Sequence, residues 1–457
     1  MTGSEKRRGS KPGAGSRVGR PALGPYERTL AWLYALEKHT GIDLQLDRVR
    51  EAAAALGHPE RSAPAFHVAG TNGKGSTAAM LAAMLAAAGR RVGLYTSPHL
   101  VSFRERIVIG GVPISETEVV EEVARIRGVL GNNRGLTCFE MVTLLAWSTF
   151  AARGVDVQVL EVGLGGRLDA TNVVAPEVAV ITNIGRDHEQ YLGSEVAAIA
   201  AEKAGIIKAG VPVVSGATGE AAAVIGTRAA ALASPLETLG RDFSLEPGPN
   251  GTLAYRSSAG AIAPLGLGLL GAHQRRNAAL AVRALELAPA FTPPAAAVRA
   301  GLGDVAWRGR LQVVQREPLV LLDGAHNPPG MDALVEEVRS LAAGRPVRVL
   351  FGVMRDKAWH SMLRSIGGLA TEIVLTRPRQ ARSADPTELA VAVTGPVRVH
   401  PDPIAAYREL LAASAPHEVV LVTGSLFLVG DVLTALDPAL AAEAAREQAA
   451  LDLVGRV

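Results

Sequence analysis

The stretch of sequence that decides the fold is residues 66–88, which read FHVAGTNGKGSTAAMLAAMLAAA. A short apolar run, Phe66–Val68, leads into the glycine-rich segment Gly70–Thr77, and an Ala- and Leu-rich run, Ala78–Ala88, follows. A strand, a glycine loop and a helix in this order form a phosphate cradle, because glycines let backbone N–H groups turn inward and the helix N-terminus adds positive potential. Lys74 is then placed to reach the outer phosphates of a nucleotide.

The loop departs from the pattern G-x-x-x-x-G-K-[ST] at two positions. Val68 stands where the first glycine is expected, and Gly75 follows Lys74 where a hydroxyl residue is usual. That hydroxyl normally binds magnesium, so a magnesium ion here would need protein ligands from elsewhere in the chain. A purely structural turn is the alternative interpretation of this loop.

Along the chain, short apolar runs alternate with Ala- and Leu-rich helical runs, which is typical of a parallel sheet. Two sets of strands are separated by the Gly-, Ser- and Pro-rich region 236–269. The predicted strands are Phe66–Val68, Val92–Tyr95, Val155–Leu160, Val178–Ile181 and Val211–Val214, then Leu319–Leu322, Val347–Leu350, Glu372–Leu375 and Val419–Val422. We therefore predict an α/β fold in which a P-loop-containing parallel-sheet ATPase domain, residues 25–305, precedes a smaller Rossmann-like α/β domain, residues 306–457.

Composition indicates a folded protein and narrows the function classes. Of the 457 residues, 48% are hydrophobic, and the one cysteine cannot form an intramolecular disulfide. Residues 1–24 hold six Lys and Arg against one acidic residue, so the formal charge of +3 leaves the rest of the chain slightly acidic. We predict a disordered basic tail there, with a nucleic-acid contact or an address signal as the alternative. We expect a cytoplasmic protein, since no apolar run is long enough to span a membrane.

Polar residues follow several predicted strands, at the edge where open α/β sheets bind ligands. Ser97, Glu161 and His188 would bring a hydroxyl, a carboxylate and an imidazole towards the phosphate loop. Each alone has a structural interpretation, as a turn serine, a capping acid and a hydrogen-bonded histidine, but together they predict a magnesium site. In the second domain, Asp323 and His326 follow a strand and would close a cleft opposite the loop, unless they form only a helix-capping turn.

Taken in order, these motifs resemble the folate branch of the Mur ligase superfamily. The matching segments lie between about Ala65 and Gly430 and are residues 71–74, 96–99, 136–140, 161–172, 187–188, 202–206, 273–277, 308–310, 323–328 and 422–425. The resemblance implies ATP-driven amide formation in two steps. The γ-phosphate of ATP would pass to a substrate carboxylate to give an acyl phosphate, and the amino group of L-glutamate would then displace phosphate, leaving an amide and ADP.

The resemblance also implies roles for individual residues. ATP would be bound by Thr71, Asn72, Gly73, Lys74, Asn277, Arg310 and Asp323. Magnesium would be bound by Ser97, Glu161, His188 and a carbamylated Lys203. A pterin ring would contact Thr137, Cys138, Phe139, Glu140, Leu168, Asp169 and Ala170. L-Glutamate would contact His326 and Ser425, and the catalytic residues would be Lys74, Lys203 and His326.

Within the pterin set, three residues have different expected parts. Phe139 offers a flat apolar surface for a ring, and Glu140 offers an acceptor for ring N–H groups. We expect Cys138 to be a bystander, because nothing in the sequence marks it as a nucleophile.

Lys203 has two interpretations. From the sequence alone it is an ordinary helix lysine on a solvated face, whereas the carbamylation that the resemblance implies would turn this cation into an anionic oxygen ligand.

The choice of substrate has several alternatives. The segment Gly165–Asn172 is similar to that of bifunctional members, so we expect glutamate to be joined both to dihydropteroate and to reduced folates; a monofunctional enzyme is the alternative. Arg186, Ala200 and Ala201 depart from residues that are common in the family, which leaves the substrate preference open. A peptidoglycan-type Mur ligase would need a further N-terminal domain, and we expect the 69 residues before Gly70 to leave no room for it.

Nucleic-acid binding is a function of a different class. It would need a basic body with interleaved aromatic residues, whereas the chain beyond residue 24 is slightly acidic and only 4% of all residues are aromatic. We therefore expect a monomer that acts on small molecules and binds neither nucleic acid nor a membrane.

Overall fold

The computed structural model of the protein describes residues 23–40, 45–131 and 135–454, so the predicted basic tail lies almost entirely outside the described residues. The larger of two mainly parallel sheets contains β1 (Ala65–Ala69), β2 (Val92–Tyr95), β3 (Ile107–Ile109), β4 (Val112–Pro113), β5 (Val157–Glu161), β6 (Val178–Ile181), β7 (Val213–Ser215) and β8 (Leu236–Thr238). Their order is β4-β3-β2-β5-β1-β6-β7-β8. The β2–β3 and β3–β4 pairs are antiparallel and the other pairs are parallel.

The helices of this part are α1 (Pro25–Thr40), α2 (Asp47–Ala55), α3 (Lys74–Ala87), α4 (Glu116–Leu130), α5 (Cys138–Arg153), α6 (Glu189–Leu192), α7 (Val196–Ala204), α8 (Gly219–Ala231), α9 (Ala272–Glu286) and α10 (Ala295–Asp304). Helix α3 is buried on most sides, because its many Ala residues let α9 and α10 approach closely. A Cβ atom added at Gly301 of α10 would lie 2.5 Å from the Cα atom of Met84 in α3. Helix α3 begins at Lys74, four residues before the predicted start at Ala78, since Gly73 turns the chain with a φ of 82°.

A small antiparallel sheet fills the Gly-, Ser- and Pro-rich region between the two sets of strands. It contains β9 (Phe243–Pro247), β10 (Leu253–Ser257) and β11 (Gly260–Leu265), in the order β11-β10-β9. Its buried residues Phe243, Tyr255 and Leu265 join the same apolar cluster as α3 and α9. The small sheet therefore packs on the first domain.

The second sheet has six strands in the order β12-β13-β17-β14-β15-β16. These are β12 (Gln312–Arg316), β13 (Leu319–Leu322), β14 (Val347–Phe351), β15 (Glu372–Thr376), β16 (Val397–His400) and β17 (Val419–Thr423). Only β12 is antiparallel to its neighbour in this sheet. The accompanying helices are α11 (Pro328–Ala342), α12 (Trp359–Gly367), α13 (Pro386–Ala390), α14 (Pro403–Ala412), α15 (Leu426–Leu436) and α16 (Pro438–Val454).

The predicted α/β fold class is confirmed, and each predicted strand is present with an end shifted by two residues at most. The strands that the sequence did not reveal include β3, β4, β8, β12 and β16. They lie at or near the edges of the sheets, where strands are short or partly exposed and their apolar pattern is weak.

The two sheets are separated between α10, which ends at Asp304, and β12, which begins at Gln312. The division into domains at residue 305 agrees with this order and stays a proposal. Helix α16 is the exception to a simple division, because it follows the second sheet in sequence but packs against α1 beside the first. Within the described part of the chain, helices long and apolar enough to cross a membrane are absent.

Candidate active site

The phosphate loop connects β1 to α3, and its glycines are required by close contacts. A Cβ atom added at Gly70, where φ is 150°, would lie 1.8 Å from Oγ1 of Thr182. A Cβ atom added at Gly73 would lie 2.4 Å from Oδ1 of Asn277, a residue of α9. The predicted ATP-binding residue Asn277 is therefore placed directly against the loop, although more than 200 residues separate the two in sequence.

Two lysine amines meet at one carbonyl group of this loop. Lys74 donates to the carbonyl oxygens of Gly70, at 3.1 Å, and Thr71, at 3.2 Å. Lys203, which lies on α7, donates to the same Gly70 oxygen at 2.9 Å. Burial, together with the nearby charge of Lys74, lowers the pKa of Lys203 to about 7. The Lys203 amine is therefore much easier to deprotonate than that of an ordinary surface lysine.

A buried carboxylate, that of Glu161, lies close enough to Lys74 to interact with its charge. Glu161 ends β5, and its Oε2 atom accepts a hydrogen bond of 3.0 Å from the backbone N–H of Ser97. Burial raises the pKa of Glu161, and the charge of Lys74 opposes that shift. A Cβ atom added at Gly75 would lie 3.4 Å from Oε2 of Glu161, so the carboxylate faces the first turn of α3.

His188 follows β6 and stands in the left-handed region with a φ of 52°. Its side chain is 40% exposed, and burial of the ring still lowers its pKa to about 4, so the imidazole is neutral at physiological pH. In the described residues there is no group of three or more His, Cys, Asp and Glu side chains that could hold a metal ion unaided. The carboxylate of Glu161 and the hydroxyl of Ser97 are nevertheless suitable donors for Mg²⁺ that also binds phosphate oxygens.

A cleft of about 380 Å³ lies between the two domains. All seven residues predicted to bind pterin line it, together with Ser97 and His188 on the first domain and His326 and Ser425 on the second. Other lining residues are Glu37, Pro98, Arg106, Gly163, Leu164, Gln190, Tyr191, Met354, Asp356, Lys357, Arg382, Leu426 and Phe427. Segments predicted separately from the sequence are thus collected in one cavity.

The structure gives the residues of the pterin set different surroundings. Phe139 lies against the backbone of Gly163, where an added Cβ atom would be 2.4 Å from the ring. Burial raises the pKa of the Cys138 thiol to about 12, so the thiol stays protonated, as expected for a residue that is not a nucleophile.

Glu140 and Asp169 have partners that the sequence did not predict. Glu140 caps α5 by accepting from the N–H of Thr137 at 2.6 Å, and Arg48 donates to its other oxygen at 3.1 Å. Asp169 accepts four hydrogen bonds, from the N–H groups of residues 163, 164 and 171 and from the hydroxyl of Thr171. Both carboxylates therefore hold the wall of the cleft, and their contact with a pterin ring stays a prediction.

The two domains touch at the phosphate loop. The side-chain amides of Asn72 and Asn327 exchange hydrogen bonds of 3.1 and 2.9 Å across the interface. Asp187 accepts from Lys357 at 2.8 Å and from Asn327 at 2.9 Å. Although burial acts in the opposite direction, the positive charge of Lys357 and its hydrogen bond hold the pKa of Asp187 well below its usual range.

On the second domain's side of the site, His326 and Asp323 lie in the loop between β13 and α11. Nδ1 of His326 lies 2.8 Å from the carbonyl oxygen of Gly324, and burial lowers the pKa of the ring to about 4. The ring is therefore neutral, Nδ1 donates to that oxygen, and Nε2 is the unprotonated nitrogen. Asp323 accepts from the N–H groups of Leu311 and Ala325, both at 2.8 Å, and so holds its loop.

The two remaining second-domain residues of the predicted set also lie at the site. Arg310 donates to the carbonyl oxygen of Gly309, and its charge opposes the rise that burial causes in the pKa of Glu161. Ser425 caps α15 by accepting from the N–H of Phe427 at 3.1 Å.

The sequence did not single out four further residues that line the cleft or join the domains: Asn327, Lys357, Arg106 and Arg382. Lys357 lies just after β14, so the rule that ligands bind at the ends of parallel strands could have revealed it. The sequence around Asn327 indicates only a helix N-cap, and Asn327 does cap the start of α11.

Comparisons with known proteins identify the family of the chain. Residues 68–285 match the Mur ligase middle domain, and residues 309–426 match the Mur ligase glutamate ligase domain. The dihydrofolate synthase/folylpolyglutamate synthase of Bacillus subtilis is 37% identical over 427 residues, which cover 89% of this chain and 98% of that protein. The enzyme of the same name from Escherichia coli is 33% identical, with coverage of 91% and 96%.

Solved structures show the same relationship. Escherichia coli FolC in complex with DHPP and ADP has a TM-score of 0.85 at 33% identity, covering 90% of this chain and 98% of that one. A bifunctional folylpolyglutamate synthase/dihydrofolate synthase with Mn, AMPPNP and L-glutamate bound has a TM-score of 0.83 at 35% identity, covering 90% and 98%. These likenesses confirm the resemblance seen in the sequence. The chain belongs to the dihydrofolate synthase/folylpolyglutamate synthase family of Mur ligases and is an ATP-dependent ligase that adds glutamate to folates.

Proposed function

We propose that this chain joins L-glutamate both to 7,8-dihydropteroate and to reduced folates, with release of ADP and phosphate. One observation carries the proposal: a single cleft between the domains is lined by the whole predicted pterin set on one side and by His326 and Ser425 on the other. The Escherichia coli relative whose structure has DHPP and ADP bound aligns with 90% of this chain over 98% of its own.

The reaction proceeds through an acyl phosphate. A carboxylate oxygen of the pterin substrate attacks the γ-phosphorus of ATP, and the bond to the ADP oxygen breaks. Lys74 and the N–H groups of the loop stabilise the charge on the transferred phosphoryl group. The glutamate nitrogen then attacks the acyl carbon, phosphate leaves with the electrons of the carbon–oxygen bond, and an amide forms.

The amine of glutamate must lose protons before and during this attack. We propose that His326 accepts one, because its Nδ1 proton is held by the carbonyl oxygen of Gly324 and its Nε2 lone pair remains available. A ring with a pKa of about 4 is a weak base, so this transfer depends on the nearby charge of Asp187. Asp187 lies 3.7 Å from Nε2 and would stabilise the imidazolium that forms. Ser425 lines the same wall and would help to orient the amino acid.

A magnesium ion would be held by Ser97, Glu161, His188 and a carbamylated Lys203. When bound, the ion neutralises charge on the phosphates during transfer. Glu161 already lies next to Ser97 and near the amine of Lys74, so its carboxylate is held in place before substrates arrive. We further propose that the enzyme acts as a monomer in the cytoplasm, on small molecules alone.

Carbamylation of Lys203 is supported by the surroundings of its amine. The residue is 5% exposed and its amine shares the Gly70 oxygen with Lys74, so a second positive charge at this position is unfavourable. A neutral amine is the form that reacts with CO₂: its nitrogen bonds to the carbon, one N–H proton is released, and the carbamate formed carries a negative charge near Lys74. The modification would thus replace a repulsive pair of cations with an attractive pair.

We expect activity to depend on CO₂ through this residue. Removing CO₂ and bicarbonate should lower the turnover of the wild type, and bicarbonate should restore it. Lys203→Ala should stay at least about tenfold below the CO₂-supplied wild type in either buffer. Labelling with ¹³C-bicarbonate should give a carbamate signal in the wild type that Lys203→Ala lacks. Lys208→Ala is the matched control, because Lys208 is also partly buried but donates to Asn172 away from the loop. Full activity of Lys203→Ala at saturating magnesium would contradict the proposal.

The substrate assignment is tested by measuring ADP release that depends on magnesium and L-glutamate. The assay is run separately with 7,8-dihydropteroate and with a reduced folate, and products are identified by mass. We expect turnover with both, each product gaining one glutamate residue. Turnover with one substrate alone would establish a monofunctional enzyme, and turnover with neither would overturn the proposed function.

A further inference from the structure

The last described helix, α16, returns from the second domain to the first. Leu440 near its start belongs to the apolar cluster of the second sheet, whereas Ala450 and Val454 near its end belong to the cluster around α1. Glu443 of α16 also forms an ion pair of 2.7 Å with Arg104 of the first domain. The helix therefore spans both domains.

At the centre of this contact α16 buries a carboxylate, that of Glu447, which is 7% exposed. Tyr34 of α1 donates to its Oε2 atom at 2.5 Å, and the backbone N–H of Phe103 donates to its Oε1 atom at 2.7 Å. Tyr26 approaches Oε1 at 3.5 Å. Burying a carboxylate costs free energy unless hydrogen-bond donors surround it, and these donors therefore fix the position of Glu447.

Phe103 belongs to residues 97–106, which we name the cleft segment. Within it, Glu105 accepts from the N–H groups of Leu100, Val101 and Ser102 at 2.8, 3.2 and 3.0 Å. Glu447 accepts from the next N–H group, that of Phe103. The N–H groups of four consecutive residues, 100–103, thus donate to two carboxylates. Glu105 belongs to the cleft segment, whereas Glu447 comes from α16.

The two ends of the cleft segment reach the active site. Ser97 and Pro98 at one end and Arg106 at the other line the cleft, and Arg106 donates to Nδ1 of His99 at 2.8 Å. The middle of the segment touches the second domain, because a Cβ atom added at Gly430 of α15 would lie 2.3 Å from the carbonyl oxygen of Leu100. Any shift of the segment would therefore change the shape of the cleft.

We propose that Glu447 is a positioning residue of the active site, which holds the cleft segment in place for the pterin substrate by accepting the N–H of Phe103 and tying the segment to Tyr34. The assignment rests on the proposed function only in the identity of the substrate. The alternative is that Glu447 serves stability alone. Ala450 and Val454 pack in the apolar cluster around α1, so we expect α16 to stay docked without the carboxylate and the two roles to be separable.

The test compares Glu447→Ala, Glu447→Gln and wild type by hydrogen exchange and by kinetics. In Glu447→Ala we expect faster amide exchange in peptides covering residues 97–106 and a KM for dihydropteroate raised about tenfold, the range typical of groups that orient a site. The KM for ATP should rise less than the KM for dihydropteroate. Glu447→Gln keeps an oxygen acceptor and should restore most of both properties. Tyr34→Phe, which leaves the carboxylate in place, should give an intermediate effect even if Glu447→Ala does not fold.

Two controls separate positioning from general loss of stability. Gln448→Ala changes an exposed neighbour on α16 and should behave as wild type. Val338→Ala removes buried volume from the second domain's core and should lower Tm without altering exchange in the cleft segment or any KM. Unchanged exchange in residues 97–106, or equal changes in all KM values, in Glu447→Ala and Tyr34→Phe would overturn the proposal. Because exchange needs no turnover, a wild-type enzyme inactive with both pterin substrates would refute the proposed function alone.

Discussion

Lys74→Met is expected to lower turnover about 10³-fold with either pterin substrate, because it removes a preorganised positive charge from the phosphoryl-transfer site. The amine of Lys74 already lies at the mouth of the loop, bonded to the carbonyl oxygens of Gly70 and Thr71. Methionine keeps the length of the side chain, so the loop should retain its backbone. The measurement is kcat from ADP release at saturating ATP, magnesium and glutamate.

A control variant and a second readout accompany this experiment. Lys208→Met removes another partly buried lysine of the same domain and should leave kcat within twofold of the wild type. The charge of Lys74 also lowers the pKa of Lys203, so Lys74→Met should raise the pKa of Lys203 and reduce its carbamylation. If Lys74→Met kept a tenth of the wild-type kcat, the phosphate cradle would be a structural turn, as the alternative interpretation of the sequence has it.

The parts of the site that the sequence predicted lie at the ends of parallel strands. Glu161 ends β5 and Ser97 follows β2, and these two strands are neighbours in the sheet. In a parallel sheet the carboxyl ends of strands meet at one edge, so order along the chain was enough to bring these residues together. The same rule placed Asp323 after β13. Local patterns are informative here because backbone topology alone fixes the geometry.

The parts that the sequence did not predict depend on contacts between distant segments. Asn72 and Asn327 are 255 residues apart, and each alone is an ordinary loop or cap residue. Glu447 lies on a helix whose charged residues look solvated in sequence, and only the packing of α16 on α1 buries it. Glu140 has one partner of each kind: Thr137 lies three residues away, in the spacing of a capping box, whereas Arg48 comes from another helix.

Asp187→Asn is expected to lower kcat/KM about 10²-fold, since loss of one member of a buried, hydrogen-bonded charge pair costs about 2–5 kcal/mol across an interface. The side chains of Asp187 and Lys357 are only 9% and 11% exposed, and they join the strand-end loop of the first domain to that of the second. Asparagine leaves the ammonium of Lys357 without its counter-charge next to His326. Both the closure of the cleft and the proposed proton transfer at His326 should suffer.

A double-mutant cycle distinguishes these contributions from simple loss of a residue. Lys357→Met alone should also lower activity, but the pair Asp187→Asn/Lys357→Met should be better than the sum of the two losses by about 1 kcal/mol or more, because neither partner is left buried and unpaired. Arg167→Met/Glu202→Gln, which removes an exposed ion pair of the first domain, provides the control with little coupling. Additive effects at Asp187 and Lys357 would mean that the pair forms without contributing to the active arrangement of the domains. Strong coupling would instead show that the phosphate loop and the glutamate side of the site act as one unit, held together by a charge pair that neither domain could form alone.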